Sequence, residues 1–195
     1  MVDRRSFISI AGLSLTFLAG CSGSNGGQVD GSAEVPSKDT GSEPKDEQKQ
    51  AGIGDEIEYT SAQGDGTFIV TVEGLERSEE MTEAFAQYGD VTDGYSVCLL
   101  LLIIKDVDVE LNGNSTYLSK VWLEDSDGVS ATPMNSALAY GEYAAAPGGA
   151  FTVSTGQAIR IAIPYQLPDG ETSYTVMVDG TEVPVELVEG SRSIG

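Results

Sequence analysis

The 195-residue chain contains no histidine. This absence excludes a Ser-His-Asp triad, histidine-based acid–base catalysis and the common zinc and haem ligand sets. Positive charge is also scarce, because 10 Lys and Arg stand against 31 Asp and Glu and the formal net charge is −21. Nucleic acids and anionic membrane surfaces are bound through cationic patches, so we expect neither as a partner. The acidic surface fits either a salt-rich habitat or an ordinary exposed surface, and both a bacterial and a haloarchaeal source stay open.

Cysteine and long apolar runs are rare as well. The chain has two cysteines, Cys21 and Cys98, and the second lies inside its most apolar run, Val97–Ile104. Eight apolar residues are too few to span a bilayer, which takes about 20. We therefore expect a buried central strand and an inert buried thiol. A Gly-x-Ser-x-Gly motif and a phosphate-binding loop are both missing, which favours a non-enzymatic protein.

Residues 1–21 have the pattern of an export signal. Arg4 and Arg5 give it a basic start, and the apolar stretch over residues 7–18 is short for a membrane span. The segment ends in Leu-Ala-Gly-Cys, which resembles a lipobox whose cysteine becomes the lipidated first residue. The sequence therefore predicts a diacylglyceryl anchor on Cys21 and a position on the extracytoplasmic face of a cell membrane.

The basic pair also bears on the export route. Arg4 and Arg5 resemble a twin-arginine signal, but Asp3 stands where Ser or Thr is more usual. The twin-arginine and general secretory routes both stay open.

The mature chain is expected to have a tether and one domain. Residues 22–52 are rich in Gly, Ser, acidic residues and Lys, a composition typical of disorder. A tether of that length reaches roughly 30 Å. The predicted domain covers residues 53–190, and residues 191–195 form a tail.

Short β-branched and aromatic runs separated by turn signals fill the domain, which predicts an antiparallel β-sandwich. Trp122 is expected to be its central core aromatic, and Asp179-Gly180 fits a hairpin turn. The predicted strands cover residues 57–61, 67–72, 95–111, 117–124, 151–153, 158–163, 174–178 and 183–188.

One segment has helical spacing instead. Ser78 is a suitable N-cap, and Met81, Phe85 and Tyr88 follow on one face. We predict a short helix over residues 78–88 that caps one end of the sandwich, with the aromatic stripe used for packing.

Three stretches resemble the telokin-like family of extracellular lipoproteins, a domain of unknown function related to the mycobacterial immunoprotective extracellular antigen. They are Gly54-Asp55 at the start of a strand, the long 95–111 strand followed by residues 123–128 (LEDSDG), and Pro147-Gly148-Gly149 before the late strands. The resemblance implies an all-β fold, an immunoglobulin-like antiparallel β-sandwich with one short helix, at the cell envelope. It supplies no catalytic residues.

Acidic residues suggest two candidate cation sites. Asp106, Asp108 and Glu110 alternate with apolar residues, which in a strand places three carboxylates on one face. Asp125 and Asp127 lie in a short acidic turn that lacks the remaining positions of a calcium loop. These five residues are therefore candidate ligands of a calcium cofactor. The alternative is that they form a solvated strand face and an ordinary hairpin turn.

The last candidate is a loop for recognition of a protein or other envelope partner. Tyr140, Tyr143 and Phe151 flank an Ala-, Pro- and Gly-rich segment, and tyrosines on loops are common in binding surfaces. The alternative is that they pack as the ends of paired strands. The leading prediction is a lipid-anchored domain that displays a binding or structural surface, and the second is a module stabilised by calcium.

Overall fold

The computed structural model describes residues 49–61, 66–108 and 115–195, apart from the side chains of residues 115 and 116. Eleven strands, one α-helix and one turn of 3₁₀-helix, Pro147–Gly149, lie within these ranges. The strands and helix are β1 Lys49–Gln50, β2 Glu56–Thr60, β3 Thr67–Arg77, α1 Glu79–Ala86, β4 Tyr95–Lys105, β5 Ser115–Tyr117, β6 Val121–Glu124, β7 Ala144–Ala145, β8 Ala150–Thr152, β9 Ile159–Pro168, β10 Ser173–Val178 and β11 Thr181–Glu189.

The strands form two layers that share β11. The order β6-β10-β11-β3-β4-β9-β7 is continuous, with β1 beside β11, β2 beside β3, and β5 and β8 paired separately. Residues 181–186 of β11 pair with β10, and residues 187–189 pair in parallel with β3. The first layer therefore contains β1, β6, β10 and the start of β11, and the second contains β2, β3, β4, β7 and β9.

One apolar core lies between the two layers. It combines inward side chains of β2, β3, β4 and β9 with those of β6, β10 and β11. Tyr59 and Phe68 stack at its centre with ring centroids 4.7 Å apart, and Phe151 meets Phe68 edge-on. The all-β class, the sandwich arrangement and the one short helix predicted from the sequence are confirmed. The sandwich differs from the expected antiparallel arrangement in three parallel pairs, β1–β11, β11–β3 and β7–β9.

Strand β4 is covered on both faces, as its unbroken apolar run predicts. Because side chains alternate along a strand, Leu100 and Leu102 point into the sandwich core while Leu99 and Leu101 point outwards. The outward residues are buried beneath helix α1 and the segment that carries Tyr140. The second layer therefore separates two apolar clusters.

We call the apolar residues on the outward face of β4 and those packed on them the outer cluster: Met81, Phe85, Val97, Leu99, Leu101, Tyr140, Tyr143 and Ala162. Helix α1 covers part of it. Ser78 caps it as predicted, since its hydroxyl accepts the N–H of Met81 at 3.2 Å. Met81 and Phe85 are buried against the outer face of β4, so the helix lies on a face of the sheet and not at the predicted end of the sandwich. Tyr88 lies beyond the last helical residue and is 80% exposed, so it is not part of the packed stripe.

Four strand predictions are wrong in extent. β3 and β9 continue past their predicted ends at residues 72 and 163, to Arg77 and Pro168. β4 ends at Lys105 instead of residue 111, because Asp106 has a left-handed backbone with φ of 52°. The predicted 117–124 strand is two strands, β5 and β6, separated by a turn.

Within β6, Val121 and Leu123 take the inward positions. Trp122 therefore points away from the core and is half-buried, with its Nε1 donating to Glu124 at 2.6 Å.

Residues on both sides of the predicted 53–190 domain contact it. β1 pairs with β11, and Ala51 packs against the core, so residues 49–51 contribute to the described fold. The C-terminal segment, predicted to be a tail, folds back on the outer cluster. Ile194 packs there, and the N–H of Gly195 donates to Ala139 at 3.1 Å.

In the part of the chain that the structure describes, no helix combines the length and the apolar character needed to cross a membrane.

Candidate functional site

The three residues predicted to form a recognition surface are buried. Tyr140 is completely inaccessible, and Tyr143 and Phe151 are 3% and 5% exposed. Tyr140 and Tyr143 pack in the outer cluster, whereas Phe151 belongs to the sandwich core. Because they are buried, these three side chains do not form an exposed recognition surface. They pack in the interior, as the alternative interpretation expects.

The hydroxyls of the two tyrosines reach a polar layer at the edge of the outer cluster. Tyr140 donates to Glu76 at 3.1 Å, and Tyr143 donates to Glu73 at 2.7 Å. Both carboxylates come from β3, where a bulge interrupts the register between Val72 and Gly74. The bulge therefore places Glu73 and Glu76 within reach of the loop that carries the tyrosines.

Two arginines complete this layer. Arg192 pairs with Glu76, and its guanidinium lies 5.2 Å from the ring centroid of Tyr143. Arg160 lies 3.4 Å from Glu73. We call these six residues the tyrosine–arginine cluster: Glu73, Glu76, Tyr140, Tyr143, Arg160 and Arg192.

The electrostatics of the cluster favour a structural role. Burial, together with the Glu76 carboxylate, raises the pKa of Tyr140 to about 12. Burial and the hydrogen bond to Glu73 raise the pKa of Tyr143 to about 12 as well. Both phenols therefore stay protonated at neutral pH and act as hydrogen-bond donors. The cluster joins β3, the 140–143 loop and the C-terminal segment.

Cys98 is buried in the sandwich core, as predicted for an inert thiol. Burial raises the pKa of Cys98 to about 12, and the opposing field of Arg77 is too weak to reverse this. The thiolate, which is the reactive form, is therefore hardly populated at neutral pH.

The predicted cation ligands lie on two separate loops. Asp106 and Asp108 follow the end of β4 and are exposed, while Glu110 lies outside the described residues. Asp125 accepts the N–H groups of Asp127 and Val129 at 3.0 and 2.7 Å, so its carboxylate forms the turn. No group of three or more Asp, Glu or Cys side chains is placed to hold a metal ion in residues 49–61, 66–108 and 115–195. The calcium hypothesis stays a prediction.

Asp179, identified from the sequence only as a turn residue, also connects its hairpin to Thr60 and Lys120. It occupies the predicted hairpin between β10 and β11 with a left-handed φ of 45°. Its carboxylate accepts the N–H of Thr60 at 3.0 Å and pairs with Lys120 at 3.0 Å. Partial burial opposes its ionisation, but the Thr60 N–H and the Lys120 ammonium outweigh burial and lower the pKa of Asp179.

Asp179→Asn should therefore reduce stability at neutral pH by about 1 kcal/mol, the usual size of one partly exposed charged interaction. Because the folded state lowers the pKa, the wild-type contribution is present above the unfolded pKa and disappears as the pH falls through the folded value. Urea unfolding at neutral and strongly acidic pH measures the difference. Asn tolerates the left-handed turn, so the turn itself is preserved.

Asp127→Asn is the matched control for this prediction, since it removes a carboxylate from an exposed turn. An equal loss of stability in both variants, or a loss at Asp179 that persists unchanged in acid, would contradict the assignment.

These features define a small, acidic β-sandwich domain with a helix and a C-terminal segment packed on the outer face of one layer. No protein-family model matches the chain, and no curated protein matches it. Among solved structures, the chain is similar to MPT63, a secreted protein from Mycobacterium tuberculosis, with 15% identity and a TM-score of 0.44. The alignment covers 70% of this chain and 95% of that one. At this identity and TM-score the similarity assigns no function.

Proposed function

We propose that the protein is a non-enzymatic, lipid-anchored domain that displays a binding or structural surface on the extracytoplasmic face of a cell membrane. The membrane contact is a diacylglyceryl group on Cys21, and the partner of the displayed surface is a protein or another component of the cell envelope.

The observation that carries this proposal is the order of features before the domain. A basic pair, Arg4 and Arg5, precedes an apolar stretch that ends in Leu-Ala-Gly-Cys21. This order is typical of a lipoprotein signal, in which the cysteine is lipidated and then exposed by cleavage.

The arrangement of the chain supports the proposal. The first described strand, β1, begins at Lys49, so 27 residues separate Cys21 from the described part of the domain. Those residues are Gly-, Ser- and acid-rich, and a segment of this composition holds a domain away from the lipid headgroups. The strongly acidic composition favours display in solvent over contact with anionic lipid.

The test is metabolic labelling of the full chain with an alkyne fatty acid in a host that processes lipoproteins. The wild-type chain should be labelled and recovered with membranes, and Cys21→Ser should lose the label completely because it lacks the only thiol in the lipobox. Mass spectrometry of the processed chain should find Cys21 as its first residue with the mass of a diacylglyceryl group.

Cys98→Ser provides the matched control, since Cys98 is buried in the core and should not be acylated. This variant should keep the label. A chain that is labelled without Cys21, or whose processed N-terminus lies elsewhere and carries no lipid, would contradict the proposal.

A further inference from the structure

The outer edge of β2 offers backbone hydrogen-bonding groups to a partner. In an antiparallel pair, successive residues direct their N–H and C=O groups to opposite edges of the strand. The N–H of Thr60 donates to Asp179, so the backbone polar groups of Thr60 point away from β3. The N–H of Ser61 donates to the carbonyl of Gly66, so the backbone groups of Ser61 point towards β3. By this alternation the backbone N–H and C=O groups of Glu56 and Glu58 also point away from β3. Within the described ranges, β3 is the one strand that pairs with β2.

A groove runs along this edge. Its volume is about 650 Å³, which is in the usual range for ligand sites. Glu56, Glu58 and Thr60 form one wall, and Lys49 of β1 and Asp179 of the β10–β11 hairpin line the other parts. The two edge strands β1 and β2 therefore flank a space alongside an exposed strand edge.

The charge of the groove selects the chemistry of an occupant. Three carboxylates line it, those of Glu56, Glu58 and Asp179, together with one ammonium group, that of Lys49. Glu56 pairs with Lys105 and Asp179 pairs with Lys120, and Glu58 has no ion pair among the described residues. A strand that carries cationic side chains would place one of them beside the Glu58 carboxylate, and opposite charges on neighbouring strands attract.

The same carboxylates disfavour a second copy of the chain as the occupant. Pairing of β2 with β2 of another molecule would bring Glu56 and Glu58 against identical acidic residues. Like charges placed opposite each other destabilise a strand pair, and charged residues on edge strands commonly prevent such self-association.

We propose that the outer edge of β2 accepts an extended peptide segment of a partner protein, with Lys or Arg at alternate positions, as an added strand. The backbone groups of Glu56 and Glu58 supply the hydrogen bonds, and the acidic groove supplies the selectivity for cationic side chains. This inference deepens the proposed function, because it assigns a partner class to the displayed surface and rests on that function only for where binding takes place.

The test measures binding of a fluorescent peptide of about eight residues, in which Lys alternates with Val or Thr, to the full chain in detergent. The chain carries Cys21→Ser, so it is not lipidated. The same peptide with Glu in place of Lys should bind at least tenfold more weakly. Hydrogen exchange should show that the cationic peptide protects the amides of Glu56 and Glu58.

Two substitutions at one position separate charge from backbone pairing. Glu58→Gln removes the carboxylate, and Glu58→Pro also removes the outward N–H while leaving the hydrogen bonds to β3 in place. Glu58→Pro should weaken binding at least tenfold relative to Glu58→Gln. Glu83→Gln, on the exposed part of α1, is the charge control and should bind as the wild type does.

Equal binding by the cationic and anionic peptides would overturn the proposal. So would binding without added exchange protection at Glu56 and Glu58, which is the readout that holds even if Glu58→Pro fails to fold. The peptide assay uses a chain without the anchor, so its failure and a failure of Cys21 labelling are independent results.

Discussion

Leu99→Ala and Leu100→Ala are each expected to lower the free energy of unfolding by about 3–5 kcal/mol, even though the two side chains point to opposite faces of β4. Both are completely buried, Leu100 in the sandwich core and Leu99 in the outer cluster. The cost combines the lost transfer free energy of the side chain with the cavity left behind. Urea or thermal unfolding of the full chain measures it.

The informative variant is Leu99→Ala. In a two-layer sandwich with solvated outer faces, an outward residue of a central strand is exposed and its truncation costs little. Here helix α1 and the loop that contains Tyr140 cover that face, so Leu99 should matter as much as Leu100. Val188→Ala is the control, because Val188 is 52% exposed on β11 and should change stability by less than about 0.5 kcal/mol. A Leu99→Ala variant as stable as Val188→Ala would contradict the two-sided burial of β4.

Gly190→Ala is expected to cost about 3 kcal/mol, although alanine is ordinarily a mild replacement for glycine. The N–H of Gly190 donates to the carbonyl of Arg77 at 2.8 Å, which fixes its backbone. A Cβ atom at this position would lie 2.7 Å from that carbonyl oxygen and closer still to the hydroxyl of Tyr140. The methyl group therefore has to displace the Tyr140–Glu76 hydrogen bond or open the backbone bond, and overpacking and a lost buried hydrogen bond each cost 1 kcal/mol or more.

Gly170→Ala is the matched control for this variant. No atom lies within 4 Å of its Cβ position and its φ is not in the left-handed range, so its stability should change by less than about 0.5 kcal/mol. Tyr140→Phe removes the hydroxyl and should recover part of the loss when it is combined with Gly190→Ala. A Gly190→Ala protein as stable as the Gly170→Ala protein would show that Tyr140 and the C-terminal segment do not pack as the structure has them.

The features that could be predicted from the sequence are those encoded within a few residues. The apolar run from Val97 to Ile104 indicated a strand covered on both sides, and Ser78 indicated the start of α1. Asp179-Gly180 marked a hairpin because its turn needs left-handed residues. Each of these signals depends on local conformation or on the number of faces that are buried.

The features that were missed depend on contacts between distant parts of the chain. Tyr140 and Tyr143 have the composition of a recognition loop, and only their partners on β3 and in the C-terminal segment show that they are packed. Arg192 and Ile194 lie in the segment predicted to be a tail. Arg192 contacts the ring of Tyr143, and Ile194 packs on the outer apolar face. Composition alone carries no information on which distant residues cover a given side chain.

The acidic residues illustrate a second limit. Asp106 and Asp108 continue the alternating pattern of β4, so periodicity extended the strand through them. The left-handed backbone at Asp106 ends the strand there, and Asp is one of the few residues that adopts this conformation readily. A binary pattern of apolar and polar residues does not report that change of direction.

The position of β11 in both layers also determines the order in which the domain can form during synthesis. β1 pairs with β11 near Thr181, and β3 pairs with β11 near Leu187. These two pairings of strands near the start of the domain therefore form only after β11, near its end, has been synthesised. Until β11 emerges, the edges of β1, β3 and β10 that it covers remain unpaired, and contacts of such long sequence separation slow folding. The pairing that connects the two layers is therefore a late event, which follows the synthesis of β11.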